Sequence, residues 1–453
     1  MHEDVPLINT PPPGPKAVEV VNKDHELIMQ SFIRWYPLVI DRGYGSVVVD
    51  VDGNKYIDMN SGLAVLNVGH NHPRVIEAIR SMLGKITHYS LTDFYYEEAV
   101  LLAEKLVKIA PMTGEKKVFY GNSGAEAIEA CIKISRGYFR NQRPYIIAFY
   151  GAFHGRTMGA NTLTASKPMQ HRWFAPLLPA VIHAPYPYPY RCPFNTDDPI
   201  ECGEQALSFI EDYILGKYVY GDEVSAIFIE PIQGEGGYIV PPENFLPGLR
   251  KIADKHGILL VVDEVQSGMG RSGKWWAIQH WGVEPDLLAA AKAIASGLPL
   301  SAVIGRSDLM SLPKGSHATT FGGNPIACRV ALEVIRIIED EGLLGRATRV
   351  GEFIIKRFKE MQEEMEIIGD VRGKGLMIGV ELVRDRDKKT PAQKELEKVL
   401  IESFKRGVLA IGAGLSTLRL APPLNIPMEL AEKAIDILES VLRKVQVELK
   451  AVK

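Results

Sequence analysis

The chain has 453 residues, with 52 Lys and Arg against 55 Asp and Glu and a formal net charge of −3. That length exceeds a single small core, so one large domain with a smaller companion is expected. The balanced charge, with no basic cluster, argues against nucleic acid or an anionic membrane as partner and leaves small molecules.

Residues 1–16 contain acidic side chains and a Pro11-Pro12-Pro13 run where a signal peptide would need a basic flank and an apolar core. No window approaches the length of a membrane span. Cys131, Cys192, Cys202 and Cys328 are scattered without Cys-x-x-Cys spacing, which suits a reducing compartment and offers no zinc pattern. A cytoplasmic enzyme without a metal site is the expectation.

Taken in order, residues 17–30 predict a short helix, and 47–51 with 55–57 predict a hairpin about Asp52-Gly53. Asp50, Asp52 and Asn54 superficially suggest a calcium loop, but Gly53 is out of place and no closing glutamate follows. His70 and His72 could be offered as metal ligands, yet Pro73 fits the first position of a helix, so both histidines are read as structural. Residues 81–108 are helical in pattern, interrupted by a polar and aromatic loop at 87–93. A strand at 117–120 then leads into Gly121-Asn122-Ser123-Gly124-Ala125-Glu126, which opens a helix to about Arg140. A small-residue turn at a helix start exposes free N–H groups and the positive dipole end, which suits a phosphate, although serine there also serves simple capping.

Strands at 145–149, 180–183, 225–230, 258–262, 287–291 and 301–304 alternate with helical segments, the pattern of a mainly parallel sheet. Residues 184–202, rich in proline and tyrosine, read as an ordered surface excursion or lid. A long helix from Asn324, an amphipathic stretch at 350–365, strands at 377–382 and 418–420, and helices at 392–406 and from Met428 form a small α+β domain. The expected division is a segment 1–75 belonging with the small domain, a large cofactor-binding domain 76–335 and the C-terminal small domain 336–453.

The chain is organised around 258–292. Five apolar residues end in Asp263, at the carboxyl edge where open α/β sheets bind ligands. A second apolar run, 287–291, ends in Lys292, followed by the small residues Ala295-Ser296-Gly297. A desolvated lysine becomes a nucleophile toward carbonyls, and a buried carboxylate can keep a ring nitrogen protonated. These are the two protein groups that pyridoxal 5'-phosphate requires. The competing dinucleotide spacing, Gly268-Met269-Gly270-Arg271-Ser272-Gly273, does not come directly off its strand and runs into Lys274-Trp275-Trp276 rather than a helix, so a dehydrogenase is disfavoured.

Between residues 43 and 423 the chain resembles the class III aminotransferases, the ω-aminotransferase or 4-aminobutyrate aminotransferase family. The resemblance lies in G-H-N-H-P at 69–73, S-G-A-E-A at 123–127, F-H-G-R-T at 153–157, E-P-I-Q-G-E-G-G at 230–237, D-E-V-Q at 263–266, Lys292, T-F-G-G-N-P at 320–325, and Arg419 before Pro422-Pro423. It implies an α/β fold of type I, with a mainly parallel seven-stranded sheet in the large domain. It also implies that Lys292 forms the Schiff base, Asp263 meets the pyridinium nitrogen, Phe153 stacks on the ring and Gln266 reaches the phenolic oxygen. Ser123 and the backbone of Gly124 and Ala125 would meet the phosphate, as would Thr320 from a neighbouring subunit, which implies a homodimer or larger assembly with shared sites.

On the substrate side the resemblance assigns Arg419 to the α-carboxylate of glutamate or 2-oxoglutarate, with Glu235 covering it when an ω-amine is the donor. Arg156 would hold a distal carboxylate. Leu63 stands where ornithine-specific members carry a tyrosine. Thr92 and Asp93 lie in a loop that could face the neighbouring site, where Asp93 would accept a second ammonium or else cap the helix from Tyr95 onward. The expected reaction moves the ω-amino group of ornithine, a lysine-like diamino acid or 4-aminobutyrate to 2-oxoglutarate, giving a semialdehyde and glutamate. The alternative is an amino-acid racemase or epimerase on the same fold.

Overall fold

Strand Leu259–Asp263 lies inside a seven-stranded sheet in the computed structural model, which describes residues 4–452. The strand order is Lys116–Gly121, Ser301–Arg306, Leu287–Ala290, Leu259–Asp263, Val224–Ile229, Tyr145–Phe149, Val181–Ala184. The central strands are apolar throughout because both faces are covered. Ile146, Ala148, Phe228, Val261 and Ala289 pack with Ala127, Ile128 and Cys131 of helix Gly124–Tyr138. The alternate residues Ile147, Ile227, Leu260, Val262 and Leu288 share the opposite core with Leu246 and Leu249 of helix Phe245–His256. Each Ile, Leu, Val or Phe among them contributes about 1.5–3 kcal/mol on burial.

The pairs along the sheet are parallel except that Ser301–Arg306 runs antiparallel to both neighbours. Two reversals restore Lys116–Gly121 to the common direction, so the carboxyl ends of all the parallel strands open on one edge. Gly257, with φ 64°, closes helix Phe245–His256 in the left-handed conformation and turns the chain into the Asp263 strand. The sheet is therefore mainly parallel, as the alternation of elements predicts. One boundary differs: the Lys292 strand ends at Ala290, and Lys292 itself opens a short 3-10 turn with φ 45°. A non-glycine residue in that region stores about 1–3 kcal/mol, which the surrounding packing must offset.

Two further sheets flank this one. Ile40–Tyr44, Val47–Asp50 and Lys55–Asp58 form a sheet completed by Val408–Leu409 from the far end of the chain. Ile368–Lys374, Met377–Asp385, Thr417–Leu420 and Ile411–Ala413 form the other. Strands Ile40–Tyr44 and Ile368–Lys374 escape the sequence reading because neither alternates cleanly between apolar and polar positions. The hairpin at Asp52-Gly53 is present, and Asp50 accepts from Asn54 N at 2.8 Å and Tyr56 Oη at 2.8 Å, so its carboxylate serves the turn. His70 Nε2 pairs with Asp58 at 2.7 Å, and His72 caps helix Pro73–Leu83, both structural uses.

The excursion over 184–202 is ordered: Arg191 pairs with buried Glu381 at 2.5 Å, and Tyr188 Oη bonds the same carboxylate. It also carries a feature that the reading of scattered cysteines suited to a reducing compartment did not anticipate: Cys192 and Cys202 form a disulfide, while Cys131 and Cys328 are free and buried. Cys192 follows the turn Pro189–Arg191 and Cys202 lies on helix Pro199–Ser208, a proximity that spacing alone does not reveal. Among the described residues no helix is long and apolar enough to cross a membrane.

Candidate active site

Three adjacent strand ends build the floor of the site. Asp263 ends its strand; Glu230 follows Val224–Ile229; Phe153 and His154 follow Tyr145–Phe149. Asp263 Oδ2 accepts from His154 Nδ1 at 2.8 Å and Oδ1 from Val265 N at 2.9 Å. Both side chains are buried. Burial works against the charged imidazolium, but the hydrogen bond and charge of Asp263 outweigh it and raise the His154 pKa. Glu230 accepts from Phe153 N at 2.8 Å and Gly234 N at 2.9 Å, which locks both loops, and burial chiefly pushes its pKa up to about 7.

Lys292 enters from the next strand, where Asp263 is in register with Ala289. Burial is the main influence on its amine and lowers the pKa; Arg419 adds to this, while Asp263, Glu230 and Glu235 oppose it. Its electrostatic neighbours are therefore these four charges, and none of them is its hydrogen-bond partner. An amine set in this way is more readily unprotonated and hence nucleophilic.

Ser123 caps helix Gly124–Tyr138 by accepting from Glu126 N at 3.2 Å, and Glu126 in turn accepts from Asn122 N at 2.7 Å. This fixes the first turn, whose leading N–H groups at Gly124 and Ala125 have no partner within the helix. A Cβ at Gly124 would lie 2.8 Å from Val265 Cγ1, so the helix start is pressed against the loop that follows Asp263. In that loop Gln266 is buried, and its Oε1 has no hydrogen-bond partner.

The other wall carries Arg419, buried in strand Thr417–Leu420, with Nη1 3.4 Å from Glu235 Oε2. The second oxygen of Glu235 lies 2.7 Å from Lys167 Nζ. Arg156 is exposed and lies over the Phe153 ring at 5.4 Å. Leu63 is exposed on a turn, 61–64, whose four residues all have positive φ. Ser61 anchors that turn by donating to Ala421 O at 2.6 Å, just beyond Arg419.

Thr92, Asp93 and Thr320 are exposed and have no described contact with Lys292 within one chain. Thr92 Oγ1 does bond Thr319 O at 3.0 Å, and Thr319 Oγ1 accepts from Asn122 at 3.0 Å, so this loop touches the helix-start turn. Asp93 does not cap the following helix: it starts at Glu97 with Tyr96 as cap residue and no side-chain cap. The glycine-rich 268–273 segment opens no helix. It places buried Arg271 to bond Leu376 O at 3.1 Å and Ser61 Oγ at 3.2 Å, stapling distant segments.

Sequence reasoning passed over His154 as the partner of Asp263 and Glu230 as the tie between the two neighbouring loops, although both stand inside quoted motifs. Lys167 carried no signal. A flat, phosphorylated aldehyde cofactor fits these residues: an amine and a buried Gln266 oxygen that have no hydrogen-bond partner among the described residues, a carboxylate held at a strand end and a free helix start.

Comparisons with known proteins agree. The family model for aminotransferase class III matches residues 31–442. The alanine/serine racemase of Pyrococcus horikoshii is 41% identical over 97% of this chain and 93% of its own length. The 4-aminobutyrate aminotransferase of Mycobacterium leprae is 41% identical over 95% of this chain and 96% of its own. Among solved structures, an amine transaminase from an uncultivated Pseudomonas species with PLP bound is 31% identical, with a TM-score of 0.86 over 92% of this chain and 98% of that one. The strand-end carboxylate, the set-in lysine and a match across nearly the whole length place this enzyme, with pyridoxal phosphate as its cofactor, in the class III aminotransferase family.

Proposed function

We propose that the enzyme transfers the ω-amino group of an ω-amino or diamino acid, of the ornithine or 4-aminobutyrate class, to 2-oxoglutarate. The observation that carries this reading is the ion pair between Glu235 and Arg419. A guanidinium free at all times would suit an enzyme whose every substrate carries its carboxylate beside the reacting carbon. A guanidinium covered by its own carboxylate suits one that alternates between an ω-amine and a 2-oxo acid. At 3.4 Å and an effective dielectric of 20 the pair attracts by roughly 4–5 kcal/mol before desolvation. That is enough to withhold Arg419 from a donor that does not use it.

When bound, the cofactor supplies an electron sink for a carbanion at the amine-bearing carbon. Lys292 would hold the cofactor through its amine and would serve as the base that takes the proton from the amine-bearing carbon and as the acid that delivers it to the cofactor carbon. Asp263, steadied by His154 and Val265 N, would present its carboxylate to the ring nitrogen. Phe153 would stack on the ring, Gln266 would address the phenolic oxygen, and Ser123, Gly124 and Ala125 would hold the phosphate. Arg156 receives a distal carboxylate. The exposure of Thr320, Thr92 and Asp93 in a single chain supports a site completed across a dimer, with Asp93 offered to a second ammonium and Leu63 forming an apolar wall.

A second reading is racemisation or epimerisation of a neutral amino acid, favoured by the Pyrococcus relative. One incubation separates the two. With L-ornithine, or with 4-aminobutyrate for the transfer channel, the aminotransferase forms glutamate only when 2-oxoglutarate is present. A racemase accumulates D-ornithine from the same L-ornithine, or D-alanine from added L-alanine, with no oxo acid, and that result would overturn the proposal.

A further inference from the structure

We propose that Lys167 is a positioning residue that gives Glu235 a second dock, so that Arg419 can be released to the carboxylate of the acceptor. The inference rests on the aminotransferase reading and adds to it the place where the displaced carboxylate goes. Glu235 already divides its oxygens between two cations, Oε1 at 2.7 Å from Lys167 and Oε2 at 3.4 Å from Arg419. Releasing Arg419 therefore needs only a turn of the carboxylate about its shorter contact.

The surroundings favour that turn. Side-chain exposure rises from 3% at Arg419 through 20% at Glu235 to 33% at Lys167, so Glu235 moves toward water and regains solvation as it leaves. The backbone on both sides is fixed. Glu235 O accepts from Gly414 N at 2.8 Å, and Lys167 N donates to Gln170 Oε1 at 3.0 Å. Ala165, two residues before Lys167, donates to Ala152 O at 2.8 Å, just before Phe153. Motion is thus confined to the side chains. Charge completes the case: when the acceptor's α-carboxylate occupies Arg419, it and Glu235 form two anions in close range. Lys167 and Arg419 together neutralise both. Without Lys167 the displaced Glu235 would face a like charge with no partner.

The test compares Lys167→Met and Lys167→Arg with the wild-type holoenzyme. In single-turnover half-reactions followed at the cofactor absorption, Lys167→Met weakens L-glutamate about tenfold and leaves the ω-amino donor unchanged, a split confined to the substrate that needs Arg419. Binding of glutarate, measured by calorimetry, weakens in parallel. Lys167→Arg restores most of both, and adding Lys167→Met to Glu235→Gln produces no further loss. Equal weakening of both substrates, or unchanged glutamate and glutarate affinities, would overturn the assignment of Lys167. If the wild type itself fails to convert glutamate, the aminotransferase reading falls, while glutarate binding still reads the role of Lys167.

Discussion

Asp263 and Glu235 are both carboxylates near the same sheet edge, yet their surroundings differ in kind. Asp263 has a side chain 5% exposed and is held by a buried imidazole and a backbone N–H. Glu235 is 20% exposed and shared between two cations, one of which reaches solvent. In the floor, where desolvation is nearly complete, a charge survives only with dedicated partners, so each group has a single arrangement. At the rim, water and a competing cation lower the cost of change, so groups can exchange partners. On the proposed function, chemistry belongs to the first region and substrate choice to the second.

The largest effect is expected where that division is drawn most sharply. Lys292→Ala should reduce turnover on the order of 10⁴-fold or more while the cofactor stays bound without a covalent link, checked by steady-state rates and by the absorption spectrum after dialysis. A variant with near-normal rate would move the chemistry off the floor altogether.

Next in size is the stability difference between the two regions. His154→Leu removes the partner of a buried carboxylate and should cost about 3–5 kcal/mol in denaturant unfolding of the holoenzyme. Lys167→Met at the rim should cost only about 0–1 kcal/mol in the same assay. Similar losses for the two would mean that floor and rim are equally rigid.

The smallest effect concerns Glu264, beside Asp263. It accepts from Ser267 Oγ at 2.5 Å and Ile278 N at 2.8 Å, yet burial dominates and raises its pKa from 4.5 to about 7. Between these values the folded state keeps a proton that the unfolded chain releases. This group therefore lowers stability as pH rises through the window, and its penalty is complete above about 7. Glu264→Gln should flatten that fall, so the difference between melting temperatures at pH 5 and pH 8 shrinks. An unchanged difference would show that Glu264 is ionised without penalty.

Much of the floor was legible beforehand. The apolar run before Asp263 announces a strand buried on both faces, and Lys292 closing a second such run is out of character for a surface residue. The resemblance paired Glu235 with Arg419, and the structure holds them 3.4 Å apart. Legibility stopped at partners remote in the chain. His154 lies 109 residues from Asp263, and Lys167 lies 68 residues from Glu235. Nothing local to either residue tells which strand end it will meet. The positive φ of Lys292 and of residues 61–64 was equally hidden, because neither stretch is built from the glycine or asparagine that usually marks such a turn, apart from Gly62.

The sequence by itself determined the parallel sheet, the strand-end carboxylate, the lysine and the helix start, since burial on two faces and a capped helix N-terminus are written in short-range patterns. Only the tertiary structure decided which charges share an ion pair, which cysteines join, and that Asp93 does not cap its neighbouring helix. Those outcomes depend on strand order and on the crossing of chain segments, which bring residues together through packing and desolvation rather than through spacing along the chain.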